Sequence, residues 1–214
     1  MKINNLMIFG DSYSTFAGCI PEGYAVYYSG RRERGPDIFS KDESWWGILL
    51  NECGGELVRN DSWSGSTIGY TGYNGSDTSK TSSFLHRLDK LKAEGFFEKN
   101  KIDTVLIFGG TNDSWSDAPL GEEMNEGWTD KDLYNVLPAI GCFFARVRQT
   151  LPEANIYGIC NCDIKKEIVA AIENACKMIG GEAVVLKEIN KLNGHPTPLG
   201  MTQITEQVRA VLGI

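Results

Sequence analysis

Ile3-Asn4-Asn5-Leu6-Met7-Ile8-Phe9-Gly10-Asp11-Ser12-Tyr13-Ser14 opens with a short apolar run and closes on a glycine followed by an aspartate and a hydroxyl side chain. The run from Ile3 to Phe9 has the length of a β-strand, and Gly10 bounds it as a turn residue. Four more runs repeat the pattern: Glu56–Arg59, Ile102–Phe108, Asn155–Cys160 and Glu182–Leu186, apolar, often β-branched, and bounded by Gly, Asn or Asp. Between them the apolar residues take helical spacing, as in Leu133, Val136, Leu137, Ile140, Phe144 and Val147, and again in Ile164, Ile168, Ile172 and Ala175. Strands that alternate with amphipathic helices join by right-handed crossovers. The expected fold is therefore α/β, a doubly wound sheet of five parallel strands with helices on both faces. In such a sheet, ligands bind outside the carboxyl ends of the strands.

Local signals agree with this frame. Ser40 with Glu43 and Thr129 with Asp132 have capping-box spacing, and Gly54, Gly95 and Gly180 follow periodic segments where a left-handed residue is wanted. Thr197-Pro198 places a cap before a first-turn proline, and Met201, Ile204, Val208 and Val211 then share one face of a closing helix. Two connections are longer than ordinary joints. Residues 14–39 carry Tyr24, Tyr27, Tyr28 and the run Arg31-Arg32-Glu33-Arg34, while residues 113–128 carry Trp115 and Trp128 among acidic but no basic side chains. Both follow strands, so both are expected to overhang the ligand edge, as lids or binding walls or as solvated loops whose aromatics pin them to the body. With no internal repeat and no linker, residues 1–214 are expected to form a single domain.

The 214 residues are 42% hydrophobic and 23% charged, the usage of a globular chain. A formal charge of -7 works against a phosphate-backbone ligand, so no nucleic-acid partner is expected. No apolar stretch approaches the roughly 20 residues of a membrane span. Met1–Gly10 shows neither the long apolar core nor the small-residue cleavage site of a secretory signal, which points to a cytoplasmic protein. Of six cysteines, Cys19, Cys53, Cys142, Cys160, Cys162 and Cys176, only Cys160 and Cys162 lie close, and no histidine accompanies them. They read as reduced core thiols, and neither a metal nor a cofactor is expected. The oligomeric state is not legible from these features.

Three strand exits carry residues suited to chemistry. Ser12 follows the first strand after Gly10-Asp11, in a turn that projects its hydroxyl where the sheet edge meets solvent; its bland alternative is a helix cap. Asn60-Asp61-Ser62-Trp63-Ser64-Gly65-Ser66 places a glycine at the second exit. Phe108-Gly109-Gly110-Thr111-Asn112-Asp113 ends the third strand, without the lysine of a phosphate loop or the spaced glycines of a dinucleotide site. There are two histidines. His86 lies inside a helical pattern with no positional reason to reach the sheet edge, whereas His195, in Asn193-Gly194-His195-Pro196 before the last helix, sits where a base could reach Ser12.

Together these pieces resemble the SGNH/GDSL hydrolase family, whose blocks carry a Ser, a Gly, an Asn and a His in this order. Gly10-Asp11-Ser12-Tyr13-Ser14 matches the first block, Gly65 falls at the glycine of the second, Asn112 matches the third, and His195-Pro196 matches the last. The match runs from the first strand to the final helix. The resemblance implies a three-layer, flavodoxin-like sheet and a serine esterase acting on a small-molecule ester. Ser12 would be the nucleophile and His195 the general base, with the backbone N–H groups of Ser12 and Gly65 and the Asn112 amide forming an oxyanion hole. Asp11 and Asp113 are read as structural, accepting backbone N–H groups. The polar aromatic loops favour a short acyl group on a sugar, while lipase and thioesterase specificities stay open.

One position departs from the family. The Asp expected three residues before the histidine is Leu192 here, with Asn193 and Asn190 nearby. A backbone carbonyl or an asparagine oxygen, a carboxylate from elsewhere, and a Ser-His dyad are the alternatives for orienting His195. Two other readings of the chain stand beside the esterase: a catalytically weakened or non-catalytic carbohydrate- or ligand-binding relative, and a nucleotide or phosphate binder on the same sheet. The second is disfavoured by the lack of basic residues near the glycine loops.

Overall fold

A computed structural model describes residues 3–31 and 37–214; Arg32, Glu33 and Arg34 of the basic run lie outside the described residues. Five strands, β1 (Asn5–Gly10), β2 (Glu56–Ser62), β3 (Thr104–Phe108), β4 (Asn155–Cys160) and β5 (Glu182–Val185), form one sheet in the order β2-β1-β3-β4-β5. Every neighbouring pair is parallel. The chain adds β2 on one side of β1 and β3 to β5 on the other, so the winding reverses between β1 and β3, and a crevice opens at their carboxyl ends.

Side-chain alternation along the strands fills two cores. Met7, Phe9, Val105, Ile107 and Ile156 face one side, where α2 (Phe84–Ala93), α5 (Val136–Thr150) and α6 (Lys166–Met178) cover them, after α1 (Trp45–Cys53) has been laid on the opposite face. On that opposite face Leu6, Ile8, Leu106, Phe108 and Ile159 meet α1 and α7 (Pro198–Leu212). Gly158 lets α6 and α5 lie close on β4, because a Cβ there would come within 2.8 Å of Cys176 Sγ and Ile172 Cγ2 on α6 and 3.0 Å of Phe144 Cζ on α5. The two remaining helices, α3 (Phe96–Lys99) and α4 (Thr111–Trp115), are single short turns before and after β3.

The boundaries differ from expectation where polar residues are satisfied inside the fold. β2 runs on to Ser62 instead of ending at Arg59, because Asn60, Asp61 and Ser62 keep parallel register with Ile8, Phe9 and Gly10 and are all buried. Ser40 only precedes a 3-10 turn at Lys41–Glu43, with no side-chain cap bond; the cap of α1 is Ser44, whose Oγ accepts the Gly47 N–H at 3.1 Å. The Asp132 carboxylate does receive both the N–H and the hydroxyl of Thr129, but it closes a turn ahead of α5, which starts at Val136. Gly54 and the Thr197-Pro198 cap stand as read, with Gly54 left-handed at φ 71 and Thr197 Oγ1 accepting the Gly200 N–H. A small antiparallel hairpin was not foreseen. It pairs β6 (Lys191–Leu192) with β7 (His195–Pro196) through a turn at Asn193 and Gly194, both at positive φ. Among the described residues no helix is long and apolar enough to cross a membrane.

Candidate active site

Gly10 ends β1 where there is no room for a side chain, since a Cβ would stand 2.4 Å from Ser62 Oγ. The chain then tightens into a 3-10 turn, Ser12–Ser14, capped by Asp11, whose Oδ1 accepts the Tyr13 N–H at 3.0 Å. Ser12 is only 3% exposed, and so does not sit in the open turn expected of it. His195 closes over it. The imidazole Nε2 lies 3.0 Å from Ser12 Oγ, and Nδ1 lies 3.3 Å from the Asn193 carbonyl oxygen. A carbonyl can only accept, so that contact places the proton on Nδ1 and turns the Nε2 lone pair toward the serine.

The ring of His195 is held by packing as well. Tyr27 stacks on it at 3.6 Å with an interplanar angle of 6°, and Trp115 meets it edge-on at 6.1 Å. The hairpin beneath is tied by phenols buried in the body: Tyr13 donates to the Gly194 carbonyl at 2.5 Å and Tyr28 to the Pro196 carbonyl at 2.8 Å. Asn161 donates to the Tyr13 hydroxyl, and Lys191 Nζ bridges Asn161 Oδ1 at 2.7 Å and Asp163 at 2.6 Å. Leu192 pairs directly with His195 across the hairpin and is 45% exposed. The Asn193 carbonyl thus answers one of the alternatives left open for the imidazole.

The exits of β2 and β3 meet the same spot. Asn112, on α4, donates from Nδ2 to the Ser66 carbonyl at 2.9 Å, and its Oδ1 accepts the Tyr73 hydroxyl at 2.8 Å. Asp113 accepts the backbone N–H groups of Ile68 and Gly69, binding the β3 exit to the chain that follows β2. Gly65 lies between them at φ 82, a conformation that favours glycine, and its N–H enters no hydrogen bond among the described residues. Arg87, fully buried on α2, draws the whole edge together: its guanidinium donates to the Gly10 carbonyl, to Ser66 Oγ, and to both the carbonyl and the carboxylate of Asp61. Burial pushes the Asp11 carboxyl up to about 7, with the neighbouring Asp113 adding to the shift. Asp113 is pushed up to about 6, also by burial, against the pull of its backbone donors.

Ser12 and His195 are therefore in hydrogen-bond contact, and Gly65 and Asn112 flank the same sheet edge through Ser66. Asp11 and Asp113 bond backbone N–H groups, as their structural reading requires. His86 stays in the first turn of α2, its N–H on Ser83 Oγ. The aromatic walls divide. Tyr27 and Trp115 reach His195, but Tyr28 is fully buried, and Trp128 bonds the Met124 carbonyl and packs beside Gly141, where α5 has no side chain to exclude it. Trp128 is thus no wall of the site. Tyr24 packs on Trp63 near the β2 exit, the rings 4.3 Å apart and tilted by 38°. Arg87 and Tyr73 escaped the sequence reading. Arg87 was signalled by a cation on the same helical face as Phe84, Leu88 and Leu91, and Tyr73 by its place in Gly72-Tyr73-Asn74-Gly75, a turn on the ligand edge. Among the described residues no group of three His, Cys, Asp or Glu side chains is arranged to hold a metal ion.

A family model for GDSL-like lipases and acylhydrolases matches residues 4–212. Among solved structures, a protein described as a GDSL-like lipase from Bacteroides ovatus is 34% identical with a TM-score of 0.91, over 100% of this chain and 99% of its own. A second protein so described, from Bacteroides uniformis, is 37% identical with a TM-score of 0.90, over 99% of this chain and 96% of its own. An acetyl xylan esterase from the rumen bacterium Butyrivibrio proteoclasticus shares the fold at 16% identity and a TM-score of 0.62, over 100% of this chain and 65% of its own. No curated protein sequence matches the chain.

Proposed function

Because the chain belongs to the GDSL-like lipase/acylhydrolase family of ester-hydrolysing enzymes, we propose that it cleaves a carboxylic ester through an acyl-enzyme on Ser12. The observation that carries this reading is the 3.0 Å contact between Ser12 Oγ and His195 Nε2 at the carboxyl edge of the sheet. A serine hydroxyl is a weak nucleophile at neutral pH, so His195 takes its proton as Oγ attacks the ester carbonyl. The tetrahedral oxyanion is met by the N–H groups of Ser12 and Gly65 and by the amide of Asn112. The Ser12 N–H, first in its 3-10 turn, has no partner within that turn. Collapse expels the alcohol, which recovers the proton from His195. A water then repeats the sequence on the acyl-enzyme and releases the acid.

For the substrate we propose a short acyl group on a polar alcohol such as a sugar. Tyr73 and Trp115, 40% and 38% exposed, offer aromatic faces next to Asn112 and His195 that suit the apolar face of a sugar ring. The acetyl xylan esterase that shares the fold is a precedent for such chemistry on this scaffold. A series of p-nitrophenyl esters from acetate to palmitate, run beside acetylated xylose, tests both parts. kcat/KM is expected to fall as the acyl chain lengthens; a steady rise through palmitate would replace the sugar ester with a lipid, and no hydrolysis of any ester would remove the function.

A further inference from the structure

Asn112 is 3% exposed, and its side-chain amide has two hydrogens and one oxygen to satisfy. One Nδ2 hydrogen goes to the Ser66 carbonyl, and Oδ1 receives the Tyr73 hydroxyl at 2.8 Å. The second Nδ2 hydrogen is the one left for an oxyanion. The Ser66 carbonyl, a pure acceptor, decides which way the amide faces. Tyr73 acts differently: a donor on Oδ1 draws electron density through the amide and makes the remaining N–H a stronger donor.

The loop around Tyr73 is built to deliver that hydroxyl. The Gly72 N–H bonds the Ser76 carbonyl at 2.8 Å, Thr71 bridges to Asp77, and Asn74 and Gly75 turn the tip at φ 55 and φ 70. Gly72 has no room for a Cβ, which would lie 2.7 Å from Ser76 Oγ and 2.8 Å from Thr78 Cγ2. Thr71 Oγ1 anchors the loop to the Tyr134 carbonyl. A tyrosine recruited for packing would be buried, yet Tyr73 is 40% exposed while its hydroxyl bonds Asn112. Burial of the phenol and the charges of Asp11 and Asp113 hold its pKa above the ordinary value, so it remains a donor at neutral pH.

We propose that Tyr73 is a positioning residue of the oxyanion hole, holding Asn112 Oδ1 so that the amide presents a strengthened N–H to the developing charge. The inference rests on the acyl-enzyme reading of the site. Its test is a cycle of Tyr73→Phe, Asn112→Ala and the double variant on p-nitrophenyl acetate, with Ser12→Ala as reference. Tyr73→Phe keeps the ring and is expected to lower kcat about 5-fold, the worth of one net hydrogen bond, with KM unchanged. Asn112→Ala is expected to lower kcat by roughly 10²–10³, and in that background Tyr73→Phe should change kcat less than about 2-fold. A wild-type kcat in Tyr73→Phe, a loss confined to KM, or the same loss with Asn112 absent would overturn the role of Tyr73. Turnover surviving in Ser12→Ala would instead overturn the acyl-enzyme reading.

Discussion

Asp11 shows how a single side chain next to Ser12 shapes the behaviour of the protein. One carboxyl oxygen caps the turn at Tyr13, and burial of the whole group raises it from 3.8 to about 7. Between those pH values the folded chain holds a proton that the unfolded chain has released. The stabilisation is therefore complete below about pH 4 and is lost as pH rises to about 7. Asp11→Asn keeps the capping oxygen and cannot titrate. In urea unfolding, the stability of the wild type relative to Asp11→Asn should fall by about 2–3 kcal/mol between pH 5 and pH 7. A difference that stays constant with pH would show that Asp11 is ionised in the fold throughout. The reading of Asp11 as structural was available from its place after Gly10, but its burial was not, because the segments that cover it come from distant parts of the chain.

At the level of elements, α2 and the end of β2 are joined by Arg87 and Asp61, both fully buried and 2.9 Å apart. Neither belongs by composition where it lies: Arg87 interrupts an apolar helix face, and Asp61 extends a strand whose sequence reads as finished at Arg59. Arg87 is intelligible only with Asp61, and Asp61 only with its cations, Arg87 and Arg59, which is why periodicity alone stopped the strand three residues early. The hairpin under His195 escaped for a related reason. Asn193-Gly194 is a two-residue turn signal, but strands of two residues have no period to detect. Removing Arg87 strips the buried Asp61 Oδ2 of its cation and leaves only Arg59, which bonds Oδ1 at 3.0 Å from a partly exposed position. With Arg59 still on Asp61, Arg87→Leu is expected to destabilise the protein by about 2–4 kcal/mol, and Arg87→Leu combined with Asp61→Leu to recover part of that loss. Equal destabilisation of the single and double variants, measured by denaturant midpoint, would locate the energy in the bonds to Gly10 and Ser66 instead.

Across the whole molecule, the alternation of strand and helix was legible because a parallel sheet buried on both faces demands apolar strands and one-sided helices. The candidate site residues were legible for a topological reason, since Ser12, Gly65 and Asn112 all follow strands and a reversed winding order gathers strand exits at one crevice. Loop destinations were not legible. Trp115 and Trp128 lie in one acidic connection, yet Trp115 follows β3 closely and meets His195, whereas Trp128 is drawn to the gap beside Gly141. The description of this edge as a site for acyl transfer depends on one nucleophile. Treating the protein with a fluorophosphonate and mapping the adduct by mass spectrometry tests that directly. One adduct per chain on Ser12, absent from Ser12→Ala and slowed in His195→Ala, is the expected result; an adduct that persists in Ser12→Ala, or ester hydrolysis that continues with Ser12 unmodified, would contradict it.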